Sequence, residues 1–155
     1  MKEDVTILVA TMSGTAEMLA DDLADRLAAA GLSARVRRME DVGPEAIGPG
    51  LYLICSSTYG VGEVPDNGRA LFDGLAHGNP DLGGVRYGVI SLGDSLYPKT
   101  FCFGGKHFDE LFASLGARRI GARLEHDSRG GRYPEDAAAE WLESWLPEVL
   151  QPTAS

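Results

Sequence analysis

Reactive side chains are scarce where a catalytic or metal centre would need them. The 155-residue chain has two cysteines, Cys55 and Cys102, which make no Cys-x-x-Cys pair, and three histidines, His77, His107 and His126, too scattered to suggest ligands. A zinc pattern and a disulfide framework are therefore excluded, and reduced thiols in a cytoplasmic protein are the expectation. No apolar run approaches the roughly 20 residues that a membrane span requires. The run after Met1-Lys2-Glu3-Asp4 is also too short for a signal peptide, so no membrane partner is expected. Basic residues are few: 14 Lys and Arg stand against 23 Asp and Glu, a net charge of -9, and they form no stripe. A phosphodiester partner is excluded on that ground, and a basic protein partner is favoured.

Two glycine signatures are missing as well. No Gly-Lys-Ser/Thr ending occurs, which excludes a nucleotide-hydrolysing P-loop, and no Gly-x-Gly-x-x-Gly occurs, which excludes a dinucleotide seat. What is there instead is Thr11-Met12-Ser13-Gly14-Thr15-Ala16-Glu17, a lysine-free loop of hydroxyls and backbone N–H groups between an apolar strand and an amphipathic helix. Free donors at a helix N-terminus carry a partial charge of roughly +0.5 and favour an anion. A monophosphate ester is the natural guest. The same residues equally suit a simple helix cap, with Ser13 or Thr15 satisfying the first N–H groups.

Apolar runs of strand length alternate with helical periodicity along the chain, the mark of βαβ units and a parallel sheet buried on both faces. Strands are expected at Val5 to Ala10, Leu32 to Arg37, Leu51 to Cys55, Val85 to Ser91 and Ala117 to Glu125. Ala16, Leu19, Ala20, Leu23, Leu27 and Ala30 recur at helical spacing between Gly14 and Ala30, and Gly31 marks the stop. Further helices are expected near Asp66 to Ala76, Lys106 to Leu115 and Pro134 to Leu150, with a Gly/Pro-rich connection from Asp41 to Gly50. No repeat or linker divides the chain. The reading is an α/β fold of three layers, one five-stranded doubly wound parallel domain over residues 1–150 with a flexible tail at 151–155.

In such a fold a ligand sits beyond the carboxyl ends of the strands. After the third strand comes Ser56-Ser57-Thr58-Tyr59-Gly60-Val61-Gly62-Glu63-Val64-Pro65-Asp66-Asn67, and after the fourth comes Gly93-Asp94-Ser95-Leu96-Tyr97-Pro98-Lys99-Thr100-Phe101-Cys102. Each loop carries an aromatic, so Tyr59 and Tyr97 suit a clamp on a flat ring, while the glycines let backbone approach its edge.

The three loops, in this order and spacing, resemble the flavodoxin family, and most closely the FMN domains of sulfite reductase and other diflavin reductases. The resemblance covers nearly the whole chain and implies the strand order 2-1-3-4-5. It implies that Thr11, Met12, Ser13, Gly14, Thr15 and Ala16 hold the FMN phosphate. Ser57, Thr58, Tyr59, Gly60 and Gly62 would cover one face of the isoalloxazine, and Leu92, Gly93, Asp94, Tyr97, Phe101 and Cys102 would form the other wall. Asp127 would be the acidic contact after the fifth strand. The peptide at Gly60 would rotate to accept a hydrogen bond from N5 of the reduced flavin. Glu63, Asp66, Asp94 and Asp127 are candidates for disfavouring the anionic reduced form, though Asp66 also suits a helix cap.

No nucleophile, base and orienting group fall together, so the cofactor would carry the chemistry. The function expected is a single-domain, monomeric carrier that shuttles single electrons from an NAD(P)H-dependent flavoprotein reductase to an acceptor with a basic docking face. The alternative is an FMN-dependent NAD(P)H quinone or metal reductase, although the short chain shows no extra segment for a substrate pocket. A receiver-type signalling domain would need acidic residues ending strands one and three, where Ala10-Thr11 and Cys55-Ser56 stand. Cys55 is read as a small core residue and Cys102 as a side chain in the ligand loop. Trp141 and Trp145, at i and i+4, are read as core, and His107 and His126 as surface residues.

Overall fold

Valine, isoleucine and leucine at successive positions leave no face of a strand for water, so each such run is covered on both sides. The computed structural model describes residues 4–10, 15–56, 66–93, 102–127 and 131–150. Its elements are β1 (Asp4–Ala10), α1 (Thr15–Ala29), β2 (Ser33–Arg38), β3 (Gly50–Ser56), α2 (Asp66–Gly78), β4 (Val85–Gly93), α3 (Phe103–Ser114), β5 (Arg118–Arg119), β6 (Leu124–Asp127) and α4 (Pro134–Leu150). All pairings are parallel, in the order β2-β1-β3-β4-β5, and β6 pairs with β4 as well.

Alternation along the strands sorts side chains into two cores. Ile7, Val9, Leu53, Cys55, Ile90 and Leu92 face α1 and α4, where Leu19, Leu23, Leu142 and Trp145 meet them. Leu8, Ile54, Tyr87 and Val89 face α2 and α3, where Leu71, Leu75, Phe108 and Phe112 meet them. The doubly wound sheet and its order are thus as the sequence and the resemblance imply. No helix among the described residues is long and apolar enough to cross a membrane.

Two expectations are corrected and one is refined. The fifth strand is not continuous over Ala117 to Glu125: it is cut into β5 and β6, and residues 120–123 stand opposite only Gly88 and Val89 of β4. Those four residues carry Gly121 at φ +71°, which a ladder cannot accommodate. The connection after β2 contains two short 3-10 turns, Met39–Asp41 and Pro44–Ala46, and Met39 is buried in the α2 face of the core. His126 is buried rather than on the surface, because its pairing with Leu92 turns it onto the α1/α4 face with Leu124. Residues 151–155 lie outside the described residues.

Candidate functional site

Every strand points the same way, so Ala10, Ser56 and Ser91, which are in register across β1, β3 and β4, mark one carboxyl edge. The loops that the sequence singles out leave from this edge. Of the expected site residues, Thr11, Met12, Ser13, Gly14, Ser57, Thr58, Tyr59, Gly60, Gly62, Asp94, Tyr97 and Phe101 lie outside the described residues. Thr15 opens α1, Ala16 is buried beneath it, Leu92 and Gly93 end β4, Cys102 precedes α3, and Asp127 ends β6. Gly93 pairs with Asp127 across β4 and β6, which brings those two together.

The helix that follows each loop is fastened to a strand end by one side chain. The Cys55 thiol, on β3, donates to the Ala16 carbonyl in the first turn of α1 at 3.6 Å. Asn67 Nδ2, at the start of α2, donates to the Val9 carbonyl of β1 at 3.4 Å. Ser91 Oγ, on β4, donates to the Cys102 carbonyl at 2.7 Å and accepts the Gly105 N–H at 3.0 Å, which seats α3. Close approach makes these contacts possible: a Cβ on Gly68 would stand 2.9 Å from Ala10 Cβ, and one on Gly93 would stand 2.6 Å from Cys102 N. The three mouths are therefore fixed side by side on rigid elements, the arrangement a precise binding site needs.

Electrostatics favour an anion at the first mouth. The first turn of a helix carries backbone N–H groups with no partner inside the helix. Glu17 in the first turn of α1 would oppose a negative ligand, but Arg38 at the end of β2 holds that carboxylate, with Nη2 at 2.7 Å and Nε at 3.0 Å. The hydrogen bond to Glu17 raises the Arg38 pKa above its ordinary value.

Neither thiol is a reactive group. Burial pushes Cys55 up to about 12, and burial likewise pushes Cys102 up to about 12. Cys102 adopts a left-handed backbone, φ +57°, and turns its sulfur inward onto the Ser91 carbonyl at 3.4 Å and the His126 carbonyl at 3.7 Å. It fastens the end of β4 to β6 and can offer a ligand its backbone alone. The fastening contacts of Ser91 and Asn67 and the burial of His126 were not anticipated. A hydroxyl in an otherwise apolar strand was the available signal for Ser91; His126 had none without the register of β6. The aromatic pair on α4 is half as expected: Trp145 is buried at 1% exposure, whereas Trp141 is partly exposed.

A family model described as flavodoxin matches residues 7–141. Protein MioC from Escherichia coli (strain K12) is 34% identical over 146 residues, spanning 92% of this chain and 96% of that protein. The sulfite reductase [NADPH] flavoprotein alpha-component from Bacillus subtilis (strain 168) is 38% identical over 149 residues, 94% of this chain but 24% of the reductase component. Among solved structures, a cysteine-to-alanine mutant of flavodoxin from Pseudomonas aeruginosa superposes with a TM-score of 0.86 at 34% identity, covering 96% of this chain and 99% of that one.

Proposed function

The chain belongs to the flavodoxin family, and from that premise we propose that it carries single electrons from an NAD(P)H-dependent flavoprotein reductase to an acceptor protein, as a cytoplasmic monomer. FMN is the cofactor. The observation that carries the reading is the set of three loop mouths fastened side by side at the carboxyl edge through Cys55, Asn67 and Ser91. The residues fit the group: the first mouth suits a terminal phosphate, and the buried edge also holds an unpaired imidazole nitrogen on His126.

When bound, FMN supplies one-electron chemistry that the side chains lack. Thr11 to Ala16 would hold the phosphate against the α1 donors, with Glu17 kept off by Arg38. Tyr59 and Tyr97 would stack on the ring, while Ser57, Thr58, Gly60 and Gly62 on one side and Leu92, Gly93, Asp94, Phe101 and the Cys102 backbone on the other exclude water from it. Asp127, at the end of β6, would place a negative charge at the rim. A thiol with a pKa near 12 stays protonated at neutral pH, so Cys55 and Cys102 do not compete for electrons.

A net charge of -9 suits a partner with a basic docking face. The sulfite reductase relative supports a flavoprotein reductase as donor. Cofactor extraction and stopped-flow reduction test the whole reading. FMN should be recovered, and reduction by a flavodoxin reductase should slow steeply with salt, since exposed charges are screened over about 10 Å at 0.1 M. Reversing Glu63 and Asp94 to Lys should slow it further. Recovery of FAD, or rapid NADH oxidation without any reductase, would overturn the carrier reading, whereas a salt-independent rate would overturn the basic docking face alone.

A further inference from the structure

Among the described residues, one buried side-chain nitrogen or oxygen has no hydrogen-bond partner, and it is His126 Nε2. The residue is only 8% exposed. Sealing such a nitrogen from water without a partner costs about 1–3 kcal/mol, so folding alone would favour an apolar side chain here. The neighbours make the same point. Register places His126 beside Leu92, on the face where Leu124, Ile90, Ala138 and Leu142 are all apolar.

Its position along the strand is informative. His126 is the next-to-last residue of β6, level with the end of β4, and so lies at the carboxyl edge from which the three loops leave. The sheet face it occupies is shared by α1 and α4, and the helix that packs on β6 is α4. Its backbone is fixed to the wall of the site, because its carbonyl accepts the Cys102 thiol.

We propose that His126 is a cofactor-contact residue, its Nε2 held unpaired in the apoprotein as the hydrogen-bond partner of bound FMN. The inference rests on the flavodoxin reading. An imidazole nitrogen donates or accepts according to tautomer, and FMN offers both kinds of partner in its ring edge, ribityl hydroxyls and phosphate. The apoprotein then holds a destabilising group that binding relieves, the usual relation between a functional site and the fold that carries it.

The test uses protein labelled with 15N-histidine, together with His126→Phe and His126→Gln. On adding FMN the Nε2 resonance of His126 should move. The Phe variant should bind FMN about tenfold more weakly, roughly 1.4 kcal/mol, while its apoprotein unfolds at the same or a higher urea concentration than the parent. The Gln variant should recover part of the affinity. An Nε2 resonance that FMN leaves unmoved, or a Phe variant within twofold of the parent affinity, would overturn the inference while FMN uptake still upheld the flavodoxin reading. A clear loss of apoprotein stability in the Phe variant would also overturn it, because the nitrogen would then be paired within the protein. If the parent itself takes up no FMN, both fall together.

Discussion

The inner strands and the outermost strand of this sheet are specified by different physics. β3 buries six of its seven residues, and its backbone is paired on both sides, to β1 and to β4. The outer strand has one neighbour and is broken between Arg119 and Leu124. There the carbonyls of three successive residues are taken by side chains: Ile120 by Trp145 Nε1 at 3.1 Å, Gly121 by Arg119 Nε at 3.0 Å, and Ala122 by Trp141 Nε1 at 2.9 Å. Arg119, just before the break, and Arg123, its last residue, both bind the buried carboxylate of Asp109, which also accepts from the Tyr87 hydroxyl at 2.7 Å. Apolar burial alone fixes an inner strand, whereas an outer strand that leaves its ladder needs donors from elsewhere to meet its backbone.

The break also has a consequence for the site. Four residues stand opposite two, so the surplus is an even number, and the inward and outward faces of β6 are preserved. Leu124 and His126 consequently still face the α1/α4 core. A surplus of one would have pushed His126 to the opposite face.

The sharpest way to break the outer arrangement is at Trp145. Its indole is 1% exposed, lies 5.3 Å from the Trp141 ring in a stacked pair, and donates to the break. Trp145→Ala should cost about 3–5 kcal/mol through cavity formation, with the Ile120 carbonyl losing its donor besides. Urea unfolding measures this. A loss no greater than that of Trp141→Ala would mean that the two indoles do not differ as their burial implies.

A smaller effect is expected from the inner side of the same contact. Gly88 of β4 lies opposite the break, and a Cβ there would stand 2.7 Å from Trp145 Nε1 and 2.9 Å from Trp141. Gly88→Ala should therefore destabilise by about 1–3 kcal/mol through overpacking, even though alanine suits a strand no worse than glycine. Adding Trp141→Phe to Gly88→Ala should give less than the sum of the two single losses, because they share a contact. Strict additivity in the urea midpoints would show that the glycine is not making room for the indoles.

Legibility followed the same division. Val5 to Ala10, Leu51 to Cys55 and Val85 to Ser91 announced themselves because strands buried on both faces are continuous apolar runs, and each lies within β1, β3 or β4. The stretch from Ala117 to Glu125 mixes three arginines with a central Gly121, a pattern that composition alone does not divide. Its division depends on donors from α4, far along the chain. The candidate loops were picked out by their glycine and hydroxyl punctuation, which is local. The inward turn of Cys102 and the burial of His126 were not legible, because both depend on how β6 registers against β4.

The two thiols sharpen the comparison at smaller amplitude, one on an inner strand and one beside the outer. Each has an ordinary pKa of 9.0 and is pushed by burial to about 12 in the folded protein. The folded state then holds a proton that the unfolded state releases between those values, so stability is intact below pH 9 and falls as pH rises towards 12. At pH 10 each thiol should contribute a loss of about 1 kcal/mol relative to pH 8, one pKa unit being 1.36 kcal/mol. Urea midpoints of the parent, Cys55→Ala and Cys102→Ala at pH 8 and pH 10 isolate each term, since every other titrating group is common to the three. Both variants should show a shallower decline than the parent. If only Cys55→Ala does, the sulfur beside the broken strand is reached by water at high pH, and the outer region opens more readily than the inner one.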